Sequence, residues 1–303
     1  MKSDPILKAF NEIKSLKVQG ARNVCIRGLN AIDEFVRIKK WKTRDSYLKA
    51  LEAAVSKLCK ARPTEPGLRN VTRLLLKKVK QCSNLEECID TTKEEIKNLK
   101  EEINSSLEKI IEIGVKRIPD GGIVFTHCHS STVTSILKAA WKEGKRFKVM
   151  NTETRPRFQG RITAKELAAA GIPVIHMVDS AARFYMNDAD LVLVGGDAVT
   201  ADGFLVNKIG TSQIMLVARE ARTTTASAVE TFKFDPITIA GDWEPIEMRN
   251  PKEVWKNPPK RVKIVNPAFD MTPPNYIDFM ITELGIISPY QSRTIMGKKW
   301  GFV

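Results

Sequence analysis

The feature that most constrains the fold of this chain is a change of sequence pattern at residues 119–122. Before this point, apolar side chains recur at helical spacing, and after it short β-branched runs alternate with helical stretches. Alternation of the second kind is typical of a parallel sheet with crossover helices. We therefore predict an α/β protein, with a helical domain over residues 1–117 and a parallel-sheet domain over residues 118–303. The runs that we interpret as strands are Ile123–Phe125, Phe147–Met150, Pro173–Met177 and Leu191–Val194.

The helical part carries apolar stripes at intervals of three and four residues, so each helix has one face to bury. A stripe from Ile96 to Ile110 lies among lysines and glutamates, which predicts one long helix packed along a bundle, with a coiled coil as the alternative. Residues 62–67 contain two prolines and a glycine and predict a break between helices. The shorter stripes are Ile6, Phe10, Ile13 and Leu16, then Leu48, Leu51, Val55 and Leu58, then Leu68, Val71, Leu75 and Val79.

The chain is strongly basic, with 49 Lys and Arg against 35 Asp and Glu and a net charge of +14. This balance favours phosphorylated ligands. The basic residues are dispersed among acids without an aromatic recognition motif, so we interpret them as a solvated surface and do not expect nucleic-acid binding. No apolar run reaches the ~18 residues that span a bilayer, and the N-terminal residues lack the apolar segment of a signal peptide. We expect a cytoplasmic protein without membrane contact.

The five cysteines are odd in number and form no Cys-x-x-Cys pair, which argues against a zinc site and a full disulfide framework. A single bridge between Cys82 and Cys88 is left open. The string from His127 to His129 looks like a metal site, but the chain has three histidines and no second cluster at ligand spacing, so we expect no metal. The usual glycine-rich nucleotide fingerprints are absent, and we expect no cofactor.

The loops after the predicted strands are where we expect chemistry, because ligands of parallel sheets bind where strands end and helices begin. The first strand is followed by a polar turn, Thr126–Thr134, that opens the next helix. Backbone amides and hydroxyls in such a turn, among them that of Ser130, attract a phosphate or lower the pKa of a thiol. Cys128 is therefore either a reactive thiolate or a small buried residue of a capping turn. His176, inside an apolar strand, is interpreted as a hydrogen-bonded core residue rather than a base.

Two further strand ends carry polar groups. The fourth strand leads into Gly195-Gly196-Asp197, which places a carboxyl group beside two glycines that allow a ligand to approach closely. Asp197 is either a general acid or the cap of the next turn. The loop after the second strand contains Arg155, Arg157 and Arg161, which either contact phosphate or form a solvated surface.

Seven short strings, in order across nearly the whole chain, resemble one superfamily. This superfamily joins translation initiation factor 2B regulatory subunits, methylthioribose-1-phosphate isomerases and archaeal ribose-1,5-bisphosphate isomerases. The Thr-His-Cys-His-Ser turn and the segment at residues 229–234 look most like the last of these. The strings are Arg27-Gly28, Arg62-Pro63-Thr64, Thr126-His127-Cys128, Glu153-Thr154-Arg155-Pro156 through Gln159-Gly160, Gly196-Asp197, Asn207-Lys208-Ile209-Gly210-Thr211 and Phe269-Asp270-Met271-Thr272-Pro273-Pro274.

The resemblance implies a Rossmann-like second domain that holds the active site, a phosphorylated sugar as substrate and a homo-oligomer, dimeric or hexameric. It also implies that Cys128 and Asp197 are the catalytic pair. Arg155 and Ser130 are added to the substrate contacts because of their places in two of the strand-end loops. The phosphate and sugar contacts that the resemblance itself implies are Arg27, Gly28, Arg62, Gln159, Asn207 and Lys208.

The implied reaction converts ribose 1,5-bisphosphate to ribulose 1,5-bisphosphate. Phosphate blocks the anomeric oxygen, so an acid must protonate the ring oxygen while a base removes the proton at carbon 2. We assign Asp197 as the acid and Cys128 as the base, and we expect the helix N-terminus and nearby cations to lower the pKa of the thiol. Two alternatives stay open: a regulatory subunit that binds initiation factor 2 without turnover, and a methylthioribose-1-phosphate isomerase.

Overall fold

The computed structural model describes residues 4–242 and 244–300, and the chain divides into two compact units, Met1–Ser106 and Leu107–Val303. The described part of the first unit is helical, and the second unit is built around a β-sheet. The predicted α/β class, with helices first, is confirmed. The domain boundary that we placed between residues 117 and 118 stays a prediction.

The first unit is a bundle of helices joined by short connections. The first helix packs on the second and third, and the second packs on the fourth, so their apolar stripes share one core. Local sequence sets several ends: the carboxylate of Asp4 accepts a hydrogen bond from the Ile6 amide (2.9 Å), and Pro66 opens the fourth helix, so the break predicted over residues 62–67 ends before Pro66. The helices are α1 (Pro5–Lys14), α2 (Ala21–Ile38), α3 (Arg44–Cys59), α4 (Pro66–Val79) and α5 (Leu85–Val115), which ends in the second unit.

The second unit contains a seven-stranded sheet and a small antiparallel sheet. The order of the large sheet is β10-β9-β7-β4-β1-β2-β3, and β10 alone among its strands runs antiparallel to its neighbour. Strands β5, β6 and β8 form the small sheet. The strands are β1 (Ile123–Thr126), β2 (Lys148–Thr152), β3 (Val174–Met177), β4 (Leu191–Val194), β5 (Ala198–Val199), β6 (Leu205–Lys208), β7 (Thr224–Ala228), β8 (Phe269–Thr272), β9 (Phe279–Thr282) and β10 (Gly285–Ile287).

The strand order of the large sheet creates a crevice at the carboxyl ends of two of its strands. Strand β1 pairs with β2 on one side and with β4 on the other, so the chain winds outward in opposite directions from this point. The crevice at the carboxyl ends of β1 and β4 is the place where doubly wound sheets bind ligands. All four residues of β4 are buried, which agrees with the position of this apolar strand inside the sheet. The helices that follow α5 are α6 (Ser131–Lys142), α7 (Gly160–Ala169), α8 (Ala182–Tyr185), α9 (Thr211–Ala221) and α10 (Ser292–Trp300).

One strand residue departs from the prediction. His176 was expected in the core, but β3 is the edge strand of the sheet and His176 is exposed. Its Nδ1 lies 3.0 Å from Oδ1 of Asn151, so the expected hydrogen bond is present although the burial is not. Within residues 4–242 and 244–300, no helix is both long and apolar enough to cross a membrane.

Candidate active site

Cys128 lies in the loop between β1 and α6, and its backbone is held from two sides. Its amide donates to Oγ1 of Thr154 (3.0 Å), and its carbonyl accepts from the hydroxyl of Thr163 (2.8 Å). The residue has φ 66°, a left-handed conformation that side chains other than glycine rarely adopt. Such conformations persist where the surroundings impose them, and they cluster at functional sites. The loop therefore presents this thiol in one fixed place.

The loop after β2 supplies one of these supports and is itself anchored. Oδ1 and Oδ2 of Asp179 accept hydrogen bonds from the amides of Thr154 (2.8 Å) and Arg155 (2.7 Å). Thr154 also has a positive φ of 62°. A chain of hydrogen bonds thus runs from the Asp179 carboxylate through Thr154 to the backbone of Cys128. Neither Asp179 nor Thr154 was singled out from the sequence, because the contact joins loops 25 residues apart.

Asp197 follows β4 and lies across the crevice from the loop of Cys128. Its amide donates to the carbonyl of Val206 (2.9 Å), which continues the antiparallel pairing of β5 with β6. The two loops approach so closely that a Cβ on Gly195 would lie 2.6 Å from Oγ of Ser130. Glycine is therefore required at position 195. Ser130 itself caps α6, since its Oγ accepts from the Val133 amide (3.3 Å).

The thiol of Cys128 does not have the lowered pKa that we predicted. Burial raises its pKa to about 11, the ammonium of Lys208 acts in the opposite direction, and the carboxylates of Asp197 and Asp179 raise it further. The thiol is therefore protonated at neutral pH in the ligand-free protein, contrary to the expected effect of the helix N-terminus and nearby cations. Cys128 and Asp197 nonetheless follow β1 and β4, two strands that pair directly in the sheet.

Lys208 ends β6, and the residues around it organise the start of α9. Its Nζ lies 4.8 Å from the centre of the Phe269 ring. Asn207 donates through Nδ2 to Oγ1 of Thr211 (3.0 Å), which in turn donates to the Lys208 carbonyl (2.6 Å). Asp270, on the neighbouring β8, accepts from the amides at the start of α9. Asp270 belongs to one of the seven strings, but its contact with α9 joins residues 58 to 60 apart, which no local pattern predicts.

Gln159 and Arg155 lie in the arginine-bearing loop. Oε1 of Gln159 is buried and has no hydrogen-bond partner within the described residues, so it is available to a ligand hydroxyl. Gln159 and Lys208 line the same small cleft, together with Arg157 and Arg249. The guanidinium of Arg155 donates to the carbonyl of Val254 (3.3 Å) and lies 5.1 Å from the Phe158 ring centre. Gln159 is thus the better placed of the two for a ligand.

The histidines beside Cys128 point to different partners. Nε2 of His127 lies 2.9 Å from the Ile209 carbonyl and Nδ1 lies 2.5 Å from Oγ1 of Thr152, and burial lowers the pKa of this ring. Nδ1 of His129 lies 3.1 Å from Oγ1 of Thr163. Within residues 4–242 and 244–300, no group of three His, Cys, Asp or Glu side chains is arranged to hold a metal ion. All five cysteines are free.

Three of the predicted contacts lie in the helical unit. Nε of Arg27 on α2 is 2.6 Å from Oε2 of Glu12, and Arg62 forms a 2.5 Å ion pair with the buried Glu65. A Cβ on Gly28 would lie 2.5 Å from the Leu68 side chain, so this glycine permits close packing of α2 on α4. Each arginine already holds a carboxylate in this structure.

Comparison with known proteins now adds to this geometry. The IF-2B model, initiation factor 2 subunit family, matches residues 17–289. The chain belongs to this family. A family relative from Thermococcus kodakarensis, named ribose 1,5-bisphosphate isomerase, is 42% identical over 98% of this chain and 95% of its own length.

Two solved structures share the fold. The Pyrococcus horikoshii translation initiation factor eIF-2B aligns with a TM-score of 0.82 at 29% identity, over 94% of this chain and 97% of its own. The 5-methylthioribose 1-phosphate isomerase of the same organism aligns with a TM-score of 0.79 at 26% identity, over 98% of this chain and 88% of its own. The resemblance inferred from the seven strings is confirmed.

Proposed function

We propose that this family member is an isomerase that converts ribose 1,5-bisphosphate to ribulose 1,5-bisphosphate with Cys128 and Asp197 as its catalytic pair. The observation that carries the proposal is that a thiol and a carboxyl group follow β1 and β4, the two paired strands that flank the crevice. The name of the Thermococcus kodakarensis relative supports the choice of substrate.

The reaction needs one acid and one base. Cys128 and Asp197 supply both when one proton moves from the thiol to the carboxylate. In the ligand-free protein the proton resides on the sulfur of Cys128, because burial raises the pKa of the thiol to about 11. Transfer of this proton to Asp197 produces a thiolate and a carboxylic acid without changing the net charge of the site. The proposed resting state and the proposed reactive state therefore differ only in the position of one proton.

The proposed reaction starts from the state with a thiolate at Cys128 and a carboxylic acid at Asp197. Asp197 gives its proton to the ring oxygen, the bond between this oxygen and carbon 1 breaks, and Cys128 removes the proton from carbon 2. The electron pair released at carbon 2 forms a double bond to carbon 1. The thiol then returns its proton to carbon 1, the hydroxyl on carbon 2 gives its proton to Asp197, and the ketone forms. The phosphate on carbon 1 stays in place throughout, and the pair ends in its starting state.

The charged ends of the substrate require cations and donors around the pair. Lys208 is the cation whose electrostatic effect reaches the thiol, and we assign it to a phosphate, with Gln159 and Asn207 as hydrogen-bonding neighbours. Ser130 and Arg155 complete the proposed set in this unit. Arg27, Gly28 and Arg62 of the helical unit complete the proposed substrate contacts, and each arginine would exchange its present glutamate partner for a phosphate.

The decisive experiment offers ribose 1,5-bisphosphate and methylthioribose 1-phosphate separately to the purified protein and follows product formation by ³¹P NMR. We expect turnover of the first. Turnover of the second alone would assign the protein to the methylthioribose-1-phosphate isomerases. A protein inert to both that binds initiation factor 2 tightly in calorimetry would be a regulatory subunit, and its retained Cys128 and Asp197 would then have no catalytic role.

The same proposal includes an oligomer and a place in the cell. We expect a homo-oligomer, dimeric or hexameric, as the resemblance implies, and light scattering coupled to gel filtration measures its mass. We also expect the enzyme in the cytoplasm, where a phosphorylated sugar is retained by its charge.

A further inference from the structure

A buried ion pair lies behind the two loops that carry the proposed catalytic residues. Glu230 is fully buried, Lys233 is 7% exposed, and Nζ of Lys233 lies 2.7 Å from Oε2 of Glu230. Burial acts to raise the pKa of Glu230, but the Lys233 ammonium outweighs it and holds this pKa below its usual value, so the carboxylate is ionised. Desolvating two ions is costly, and such a pair is weak evidence for stability. The further hydrogen bonds of the pair indicate another role.

The lysine end of the pair holds the turn of Asp197. Nζ of Lys233 donates to the Gly196 carbonyl (3.0 Å), and the hydroxyl of Ser227 donates to the Gly195 carbonyl (3.2 Å). The amide of Asp197 is bonded to β6, as described above. Three consecutive residues of this turn are therefore each fixed through a backbone group.

The glutamate end holds the other side of the crevice. Oε1 of Glu230 accepts a hydrogen bond from the hydroxyl of Thr132 (3.2 Å), which lies at the start of α6, four residues after Cys128. The pair thus forms one continuous connection from the helix that follows Cys128 to the residue that precedes Asp197. The close approach of Gly195 to Ser130 leaves these loops little room to shift independently.

We propose that Glu230 and Lys233 are positioning residues that set the separation between the thiol of Cys128 and the carboxyl group of Asp197. This inference rests on the proposed function for its kinetic consequence, but its structural claim can be measured without any substrate. The pair is suited to the task because it is short, charged and sealed from water, where electrostatic attraction is strong. A displacement of ~1 Å at a catalytic group costs as much as ~100-fold in rate.

The first test is the double variant Glu230→Gln with Lys233→Met. It removes both charges together, which avoids leaving one buried ion unpaired, and it keeps the acceptor for Thr132. We expect a fall in kcat of ~10- to 100-fold with KM changed by less than about twofold. The matched control is Arg183→Met with Glu220→Gln, an exposed ion pair between α8 and α9 in the same unit, which should leave both constants unchanged. Unchanged kcat in the Glu230 and Lys233 variant would overturn the proposal.

The second test measures the electrostatic coupling between the thiol and the carboxylate. The rate at which iodoacetamide alkylates Cys128, followed by peptide mass spectrometry, reports the thiolate fraction. In the otherwise native protein, Asp197→Asn should raise this rate, because the carboxylate raises the pKa of the thiol. In the Glu230 and Lys233 variant the same substitution should have a smaller effect. The four proteins compared are the native protein and the Glu230 and Lys233 variant, each with and without Asp197→Asn. Lys208 and Asp179 also act on the pKa of the thiol, but both are present in all four proteins, so their effects cancel.

If Asp197→Asn raises the alkylation rate of Cys128 equally in the native protein and in the Glu230 and Lys233 variant, the positioning role is refuted, whether or not the protein is an isomerase. If the double variant fails to fold, Thr132→Val replaces it, since this change removes only the hydroxyl that contacts Glu230 and keeps the side-chain shape. In the Thr132→Val variant, Asp197→Asn should change the alkylation rate of Cys128 less than it does in the native protein. An undiminished change would overturn the proposal. Inertness of the native protein toward both sugar phosphates would instead refute the proposed function and leave the alkylation result to be judged separately.

Discussion

Replacing Asp197 by asparagine should change the pH dependence of turnover as well as its rate. With the pKa of the Cys128 thiol raised to about 11, releasing its proton to water near pH 7 costs about 5.5 kcal/mol, which is four pKa units at ~1.4 kcal/mol each. In the proposed mechanism Asp197 takes this proton, so the thiolate forms without net release of a proton from the site. An amide cannot accept that proton, so the variant must form the thiolate by net proton release. It also lacks the acid that protonates the ring oxygen.

The native enzyme should therefore show a kcat/KM that changes little between roughly pH 7 and 9, since the pair keeps its one proton over this range. Asp197→Asn should be ~10³- to 10⁴-fold slower near pH 7 and gain about tenfold per pH unit. Loss of the carboxylate also lowers the pKa of the thiol, which shifts the rise to lower pH but keeps its slope. Asp202→Asn, which changes an exposed acid in the same region, is the matched control. A variant with native rates, or one that is slow but independent of pH, would refute the shared-proton mechanism.

Three further predictions test the site. Cys128→Ser should fold normally by circular dichroism yet lose ~10²- to 10⁴-fold in kcat, because a hydroxyl is a far weaker base at neutral pH. Cys59→Ser is the control and should keep native activity. Comparable activity in the serine variant of Cys128 would leave this residue only a packing role. Treatment with EDTA should leave activity unchanged, and loss that a divalent ion restores would contradict the metal-free prediction. Lys208→Ala and Arg27→Ala should each raise KM and weaken product binding in calorimetry by ~1.5–3 kcal/mol, and unchanged kinetics in both would show that the assigned phosphate contacts are wrong.

The fold class could be predicted because its signal is local. Each of the four predicted strands is present within two residues of its expected ends, and the run at Leu191–Val194 matches in full. The order of the strands is a different matter, since it depends on which elements pack together along the sheet. His176 shows the difference: an apolar run surrounds it in sequence, but only the strand order places β3 at an edge, where one side of the strand faces solvent.

The site could be predicted in position better than in electrostatics. A thiol and a carboxyl group that each follow a buried parallel strand are expected at the same edge of the sheet, and the structure brings Cys128 and Asp197 to neighbouring strand ends. The start of α6, visible in the sequence, suggested a lowered thiol pKa. The desolvation that raises it depends on surroundings remote in sequence, including the loop that carries Thr154. No local pattern records that burial.

Asp270 illustrates a role that only long-range structure reveals. It lies 58 to 60 residues from the amides that it binds, those of Ser212 (3.1 Å) and Gly210 (2.7 Å). These bonds satisfy donors at the start of α9 and fix the turn that follows Lys208. Burial nevertheless raises the pKa of Asp270 to about 6, with the amides and the Lys208 ammonium acting in the opposite direction. The carboxylate therefore organises the turn at a cost in free energy.

Two variants of Asp270 separate that cost from the benefit of the hydrogen bonds. Because its pKa rises from 3.8 unfolded to about 6 folded, the group stabilises the fold fully below pH 3.8, and this contribution of roughly 3 kcal/mol is lost as pH rises through 6. Asp270→Asn keeps an acceptor for the amides but cannot ionise, so relative to the native protein its free energy of unfolding should increase from about pH 4 to 7. Asp270→Ala loses the acceptor and should be ~1–2 kcal/mol less stable than the asparagine variant at every pH. Urea titrations across this range measure both differences. An asparagine variant whose stability stays parallel to that of the native protein would show that the carboxylate of Asp270 is not desolvated in the way the structure indicates.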